Sequence, residues 1–84
     1  MKPGDLVSPD PKHAIGERGT GLWVNPGRWD GPRAVWVRAK ELCLAIAIVS
    51  MGRMTNGEEL EWVMLLTPGM CYGWARTSDF EVVP

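Results

Sequence analysis

Apolar positions along this chain recur with a period of two, and the clearest run begins at Leu42. Leu42, Leu44, Ile46 and Ile48 alternate with Cys43, Ala45, Ala47 and Val49, so one face of residues 42–49 is bulky and the other small. Both faces are apolar, which predicts a central strand. Propensity alone also allows a helix over residues 39–49, but the β-branched Ile46, Ile48 and Val49 and the strict alternation favour the strand. Asn56-Gly57 then predicts a hairpin turn with positive φ at both central positions. In residues 60–67, Leu60, Trp62, Met64 and Leu66 share one face, and Glu61, Val63, Leu65 and Thr67 share the other. Thr67-Pro68-Gly69-Met70 has the residue order of a type II turn. A third strand over residues 70–76 puts Met70, Tyr72 and Trp74 on one face and Cys71, Gly73 and Ala75 on the other. The three runs form a meander, and at least one of Trp62 and Trp74 is expected in the core with its indole N–H near the rim.

The flanks complete the pattern. A short strand over residues 4–7 follows Pro3 and stops at the Ser8-Pro9-Asp10-Pro11 cluster, Thr77-Ser78-Asp79 allows one helical turn, and residues 80–83 form a last strand. That order is the order of an SH3-like barrel, in which the terminal strands pair with different edges of the meander and closure protects the edges. The expectation is therefore an all-β chain, one domain over residues 1–84, with a long insertion at residues 9–41 in its first loop. A segment that long must be partly ordered. Residues 21–25 and 34–38 are its strand candidates, with Asn25-Pro26-Gly27 and Asp30-Gly31-Pro32 as turns, which predicts an added β-hairpin projecting from the barrel.

Composition agrees and narrows the function. Ten Gly and seven Pro in 84 residues suit short strands joined by tight turns, and the chain is long enough for one small core only. Five Trp against one Phe and one Tyr is the unusual feature. The net charge of −1 provides no basic field to recruit nucleic acid or an anionic membrane. The charge is uneven, however: residues 1–40 sum to +3 and residues 41–84 to −4. Either the halves complement each other within one molecule, or copies meet head to tail. The N-terminus lacks the apolar run of a signal peptide, and residues 42–49 are too few to span a bilayer. Two cysteines fit a reducing compartment, and both are expected free and buried.

No catalytic or metal signature stands out. Gly16-Glu17-Arg18-Gly19-Thr20-Gly21 lacks the Gly-Lys-Ser/Thr ending of a phosphate loop and leads into a strand. His13 is the only histidine and has no Cys or His near it in sequence, so it reads as an exposed loop residue. Ser8, Ser50 and Ser78 have no base and orienting partner in sequence. Glu58, Glu59 and Glu61 sit at a solvated hairpin tip that would not raise a carboxylate pKa. Cys43 and Cys71 fall two strands apart, about 10 Å, too far for a disulfide, and read as filler on the small-residue face.

The chemistry concentrates in the insertion, where Trp23, Trp29 and Trp36 interleave with Arg18, Arg28, Arg33 and Arg38. Such a set can stack internally, Arg on Trp. It can contact another protein, since Trp and Arg dominate binding hot spots. It can also bind single-stranded nucleic acid by stacking and phosphate contacts, against which the acidic pI weighs. The candidate partner-binding residues are Trp23, Arg28, Trp29, Arg33, Trp36 and Arg38.

Lys2-Pro3-Gly4-Asp5-Leu6-Val7 at one end, and the run from Trp74 through Phe80-Glu81-Val82-Val83 at the other, resemble very short SH3-like proteins of tailed bacteriophages. Those open on a Gly-Asp-Leu-Val strand and close on a Trp, a polar turn and a Leu/Phe-Glu-Val strand. The resemblance implies a non-enzymatic protein of a phage particle or a phage accessory gene, located in the host cytoplasm or the assembled virion. Other protein subunits, including further copies of the chain, are the expected partners. No cofactor, metal or membrane is expected. The rival reading is an accessory protein that binds nucleic acid or a host transcription enzyme through the same Trp/Arg-rich loop.

Overall fold

The computed structural model describes residues 1–12, 19–27 and 31–84. Its strands are β1 (Leu6–Pro9), β2 (Thr20–Trp23), β3 (Arg33–Val37), β4 (Cys43–Arg53), β5 (Glu59–Leu66), β6 (Tyr72–Arg76) and β7 (Phe80–Val82), with a 3-10 turn at Thr77–Asp79 before β7. They form one antiparallel sheet in the order β3-β2-β6-β5-β4-β1-β7. The meander is thus β4-β5-β6, as the alternation predicts. Laid flat, seven strands about 4.8 Å apart would hold β3 and β7 roughly 29 Å from each other. Instead Val37 of β3 and Phe80 of β7 lie in one buried cluster with Val7, Leu22, Cys43, Ala45, Val63, Leu65 and Ala75. Every strand contributes to that cluster, so the sheet is curled into a half-barrel around it.

Several expectations are corrected. The terminal strands do not take different edges: β1 pairs with β4 and β7 pairs with β1, so both extend the same side of the meander. The other side, β6, is taken by β2, which carries β3 beyond it, so the two strands of residues 9–41 continue the main sheet rather than project from it. Residues 2–5 form a turn, not a strand. Asp5 N donates to Lys2 O and Gly4 takes φ +95, the type II pattern with Pro3 and Gly4 in the middle. The first strand accordingly starts at Leu6 and runs through Ser8 to Pro9.

The core face of the meander is the small-residue face, not the bulky one. Ala45 points inward opposite Leu65, Cys43 joins it in the buried cluster, and the register shifts between Ala45 and Ala47. That bulge adds Ile46 as an extra residue and inverts the alternation, so Ile48 packs on the core while Ala47 and Val49 turn outward. Strict alternation in sequence therefore conceals a change of face in space.

Both meander turns share one construction. Gly57 N donates to Met54 O and Met54 N to Glu58 O; likewise Met70 N donates to Thr67 O and Thr67 N to Cys71 O. Each is a three-residue loop whose last residue is left-handed, Gly57 at φ +88 and Met70 at φ +63. Neither expected turn type forms. Asn56 keeps a negative φ and instead its side-chain Oδ1 accepts from Glu58 N, while Gly69 is not left-handed and Met70 is. The loop also moves the third strand's start from Met70 to Tyr72. Cys71 thereby lies exposed beside the turn, its thiol donating weakly to Gly69 O, rather than buried on the small-residue face.

Candidate functional site

Cross-strand pairing sorts the outward side chains into rows. Leu6, Leu44, Leu66 and Tyr72 are successive partners across β1, β4, β5 and β6. Ala47, Met64, Trp74, Trp23 and Arg33 do the same across β4, β5, β6, β2 and β3. Val49, Trp62 and Arg76 make a third, shorter row. Outside the half-barrel, then, lies a second, largely apolar surface, two of whose rows end in Arg33 and Arg76. Its burial is graded. Trp62 is 1% exposed although it stands outside the central cluster, Trp74 is half-buried, and Tyr72 is 54% exposed at the end of its row. The far end of the β4-β5 hairpin bends back near Trp62: Arg76 Nη2 donates to Met54 Sδ at 3.9 Å, and Met51 packs against Gly27. Of the two meander tryptophans, Trp62 is the buried one, on the face opposite the core.

The candidate residues of the insertion meet on this outer face. Within β3 the register shifts opposite Leu22 and Trp23, so that Leu22 faces Val35 and Trp23 faces Arg33, with Ala34 between. Without that bulge Arg33 would alternate inward; with it, Arg33 joins Trp36 on the outside. The Arg33 guanidinium lies 3.6 Å from the centroid of Trp23 and 5.3 Å from that of Trp36. Its Nη1 also donates to Gly21 O at 2.8 Å. Gly21 is what admits it, since a Cβ there would overlap Nη1 and press on the Trp36 ring at 3.1 Å. Arg33 is thus stacked and hydrogen-bonded within the hairpin, and it covers Trp23, which is only 9% exposed.

The six candidate residues therefore divide. Trp23, Arg33 and Trp36 form one cluster in which Trp36, 46% exposed, presents the accessible ring. Trp23 is nearly covered, while Arg33 stays exposed above it. Arg38 stands apart, exposed beyond the end of β3, where its backbone N–H donates to Glu41 Oε1. Arg28 and Trp29 lie outside the described residues, as do His13, Glu17 and Arg18. The sequence reading missed the Leu6, Leu44, Leu66, Tyr72 row. Its signal is present in the alternation of residues 60–67, whose Leu60, Trp62, Met64, Leu66 face the local pattern alone assigns to neither core nor surface.

Other chemistry is sparse among the described residues. No three His, Cys, Asp or Glu side chains are grouped to hold a metal ion. No helix is long and apolar enough to cross a membrane. Both cysteines are free thiols, and burial, reinforced by the nearby Glu41 carboxylate, pushes Cys43 up to about 11. No family model, curated protein or solved structure matches the chain.

Proposed function

We propose that the chain is a non-enzymatic SH3-like module that works by contacting other protein subunits, as a minor component of a tailed-bacteriophage particle. The element order supports the SH3-like reading: short strand, long first loop, three-strand meander, one 3-10 turn and short last strand. The end motifs shared with phage proteins of that class support the setting. One observation carries the interaction role: the outward row Leu6, Leu44, Leu66, Tyr72, which spans four strands and has Trp74 two positions along from Tyr72 on β6. Contiguous apolar surface of this kind on a small domain marks a contact site. Tyr and Trp are also the residue types that hold interfaces together. The internal stacking of Arg33 favours protein contact over nucleic-acid binding, because that guanidinium is already committed to Trp23 and Gly21.

Co-sedimentation with assembled particles tests the proposal. The wild-type chain is expected in the particle fraction, and Tyr72→Ala with Trp36→Ala is expected to remain behind while keeping its circular dichroism spectrum. A protein absent from particles that binds single-stranded DNA, with affinity falling steeply between about 50 and 200 mM salt, overturns it.

A further inference from the structure

The half-barrel is open at two ends, and the ends differ in charge. Among the described residues, β3 is paired only to β2 and β7 only to β1, so each strand keeps one side without a strand partner. Backbone bonding shows which groups point away. Val83 N donates to Leu6 O and Asp10 N to Asp79 O, so positions 79, 81 and 83 bond towards β1. By alternation, Phe80 C=O and both backbone groups of Val82 face outward. At the other end Val24 N donates to Pro32 O, which leaves the N–H and C=O of Arg33 directed away from β2. Charge is distributed in the same way. Arg33 is held by Trp23 and Gly21 O, so the accessible charge at the β3 end comes from Arg38 and Lys40 with Glu41 beside them, and at the β7 end from Glu81. Arg38, Lys40 and Glu81 are all exposed.

We infer that copies of this chain associate head to tail, with the basic β3 end of one copy set against the acidic β7 end of the next. Each end supplies a strand edge of the kind that takes up another strand. The opposite charges select the heterologous pairing over β3 with β3 or β7 with β7, where like charges would oppose. A heterologous contact leaves one end unused on every copy, so it propagates into a ring or a short chain rather than stopping at a dimer. The edges are short, three residues at β7 and five at β3, so the contact is weak and depends on high local concentration.

Sedimentation velocity on the purified chain at low salt, over a concentration series, tests the inference. Wild type is expected to show a concentration-dependent series of oligomers that collapses to monomer as salt is raised. Arg38→Glu and Glu81→Lys, both exposed positions, are each expected to weaken association by about tenfold or more. An equimolar mixture of the two variants restores it, because each altered end then meets an altered partner of opposite charge. Circular dichroism on both variants separates lost association from lost folding. A wild-type monomer at every concentration in low salt overturns the inference, as does association that survives either reversal or a mixture that stays monomeric. Neither variant touches Tyr72 or Trp36, so this result stands separately from the particle experiment.

Discussion

Gly73 is the joint at which the Trp/Arg hairpin meets the meander, and adding one methyl group there measures how tightly the two are joined. Gly73 is buried on β6 opposite Leu65, and a Cβ on it would sit 2.5 Å from Leu22 Cβ, 3.0 Å from Leu22 Cδ1 and 3.3 Å from Leu22 Cγ. Carbon atoms pack comfortably at about 3.5–4.0 Å. The nearest atom is Leu22 Cβ, fixed to the β2 backbone, so a rotamer change cannot relieve the overlap. Gly73→Ala must push β2 about 1 Å from β6. Overpacking of this kind costs about 1–3 kcal/mol. Restricting the unfolded chain by replacing glycine returns about 0.4–1 kcal/mol. The net expectation is a loss of about 1–2 kcal/mol.

Urea denaturation followed by far-ultraviolet circular dichroism gives the stability change, and tryptophan emission reports its site. The displaced strand carries Trp23, the partner of Trp74 and the platform for Arg33, so emission is expected to shift to longer wavelength before global unfolding. A Gly73→Ala variant as stable as wild type with unchanged emission would refute the close packing of β2 on β6. The hairpin would then be an appendage, and the outer face would not extend across it.

Three further outcomes follow from other parts of the molecule. Met70 holds the left-handed position that Gly57 fills in the sister turn, so Met70→Gly is expected to stabilise the fold by about 0.5–1 kcal/mol and Gly57→Ala to destabilise it by a similar amount, both read from urea midpoints. Arg33→Met removes the cation stacked on Trp23 and the bond to Gly21 O; a loss of about 1–2 kcal/mol in thermal or urea unfolding is expected, and no change would show that the stack contributes nothing. A thiol reagent should label Cys71 at neutral pH and leave Cys43 untouched until the protein unfolds. Because folding raises the Cys43 pKa from 9.0 to about 11, its contribution is complete below pH 9 and disappears as pH rises through 11. Two pH units correspond to about 2–3 kcal/mol, visible as the difference between wild-type and Cys43→Ala stability curves across that window.

The existence and order of the strands could be read from the sequence because period-two patterning and Pro/Gly punctuation are local properties. Residues 60–67 and 72–76 illustrate this, as does the single turn at Thr77–Asp79. Which face of a strand is buried depends on its distant neighbours, so a pattern apolar on both faces leaves it open. Leu44, Met64, Leu66 and Trp62 form the bulkier face, and bulk alone points to core. The curl of the sheet instead places the small Cys43 and Ala45 inside, where seven strands converge and room is shortest. The docking of β2 on β6 was equally hidden, since Gly73 and Leu22 are 51 positions apart in the chain and nothing local marks a glycine as a contact point. Within the candidate site, Trp23, Arg33 and Trp36 were legible as residue types. Their roles were not, because the bulge that brings Arg33 round to the tryptophans depends on hydrogen bonding between strands.

The bulges at Ala34 and Ile46 also determine which sequence changes of length this fold can absorb. Each acts as a parity switch: every residue beyond it reads out on the face opposite to the one its odd or even position would give. Deleting Ala34 alone would restore regular pairing and leave Arg33 opposite Trp23 on the outer face, whereas deleting a residue from a regularly paired strand such as β6 would turn every residue beyond it to the other face. Natural or engineered variants of this chain should therefore accept loss of a bulge residue yet reject single-residue deletions in the regularly paired β5 and β6, and a deletion library would reveal the bulges without any coordinates.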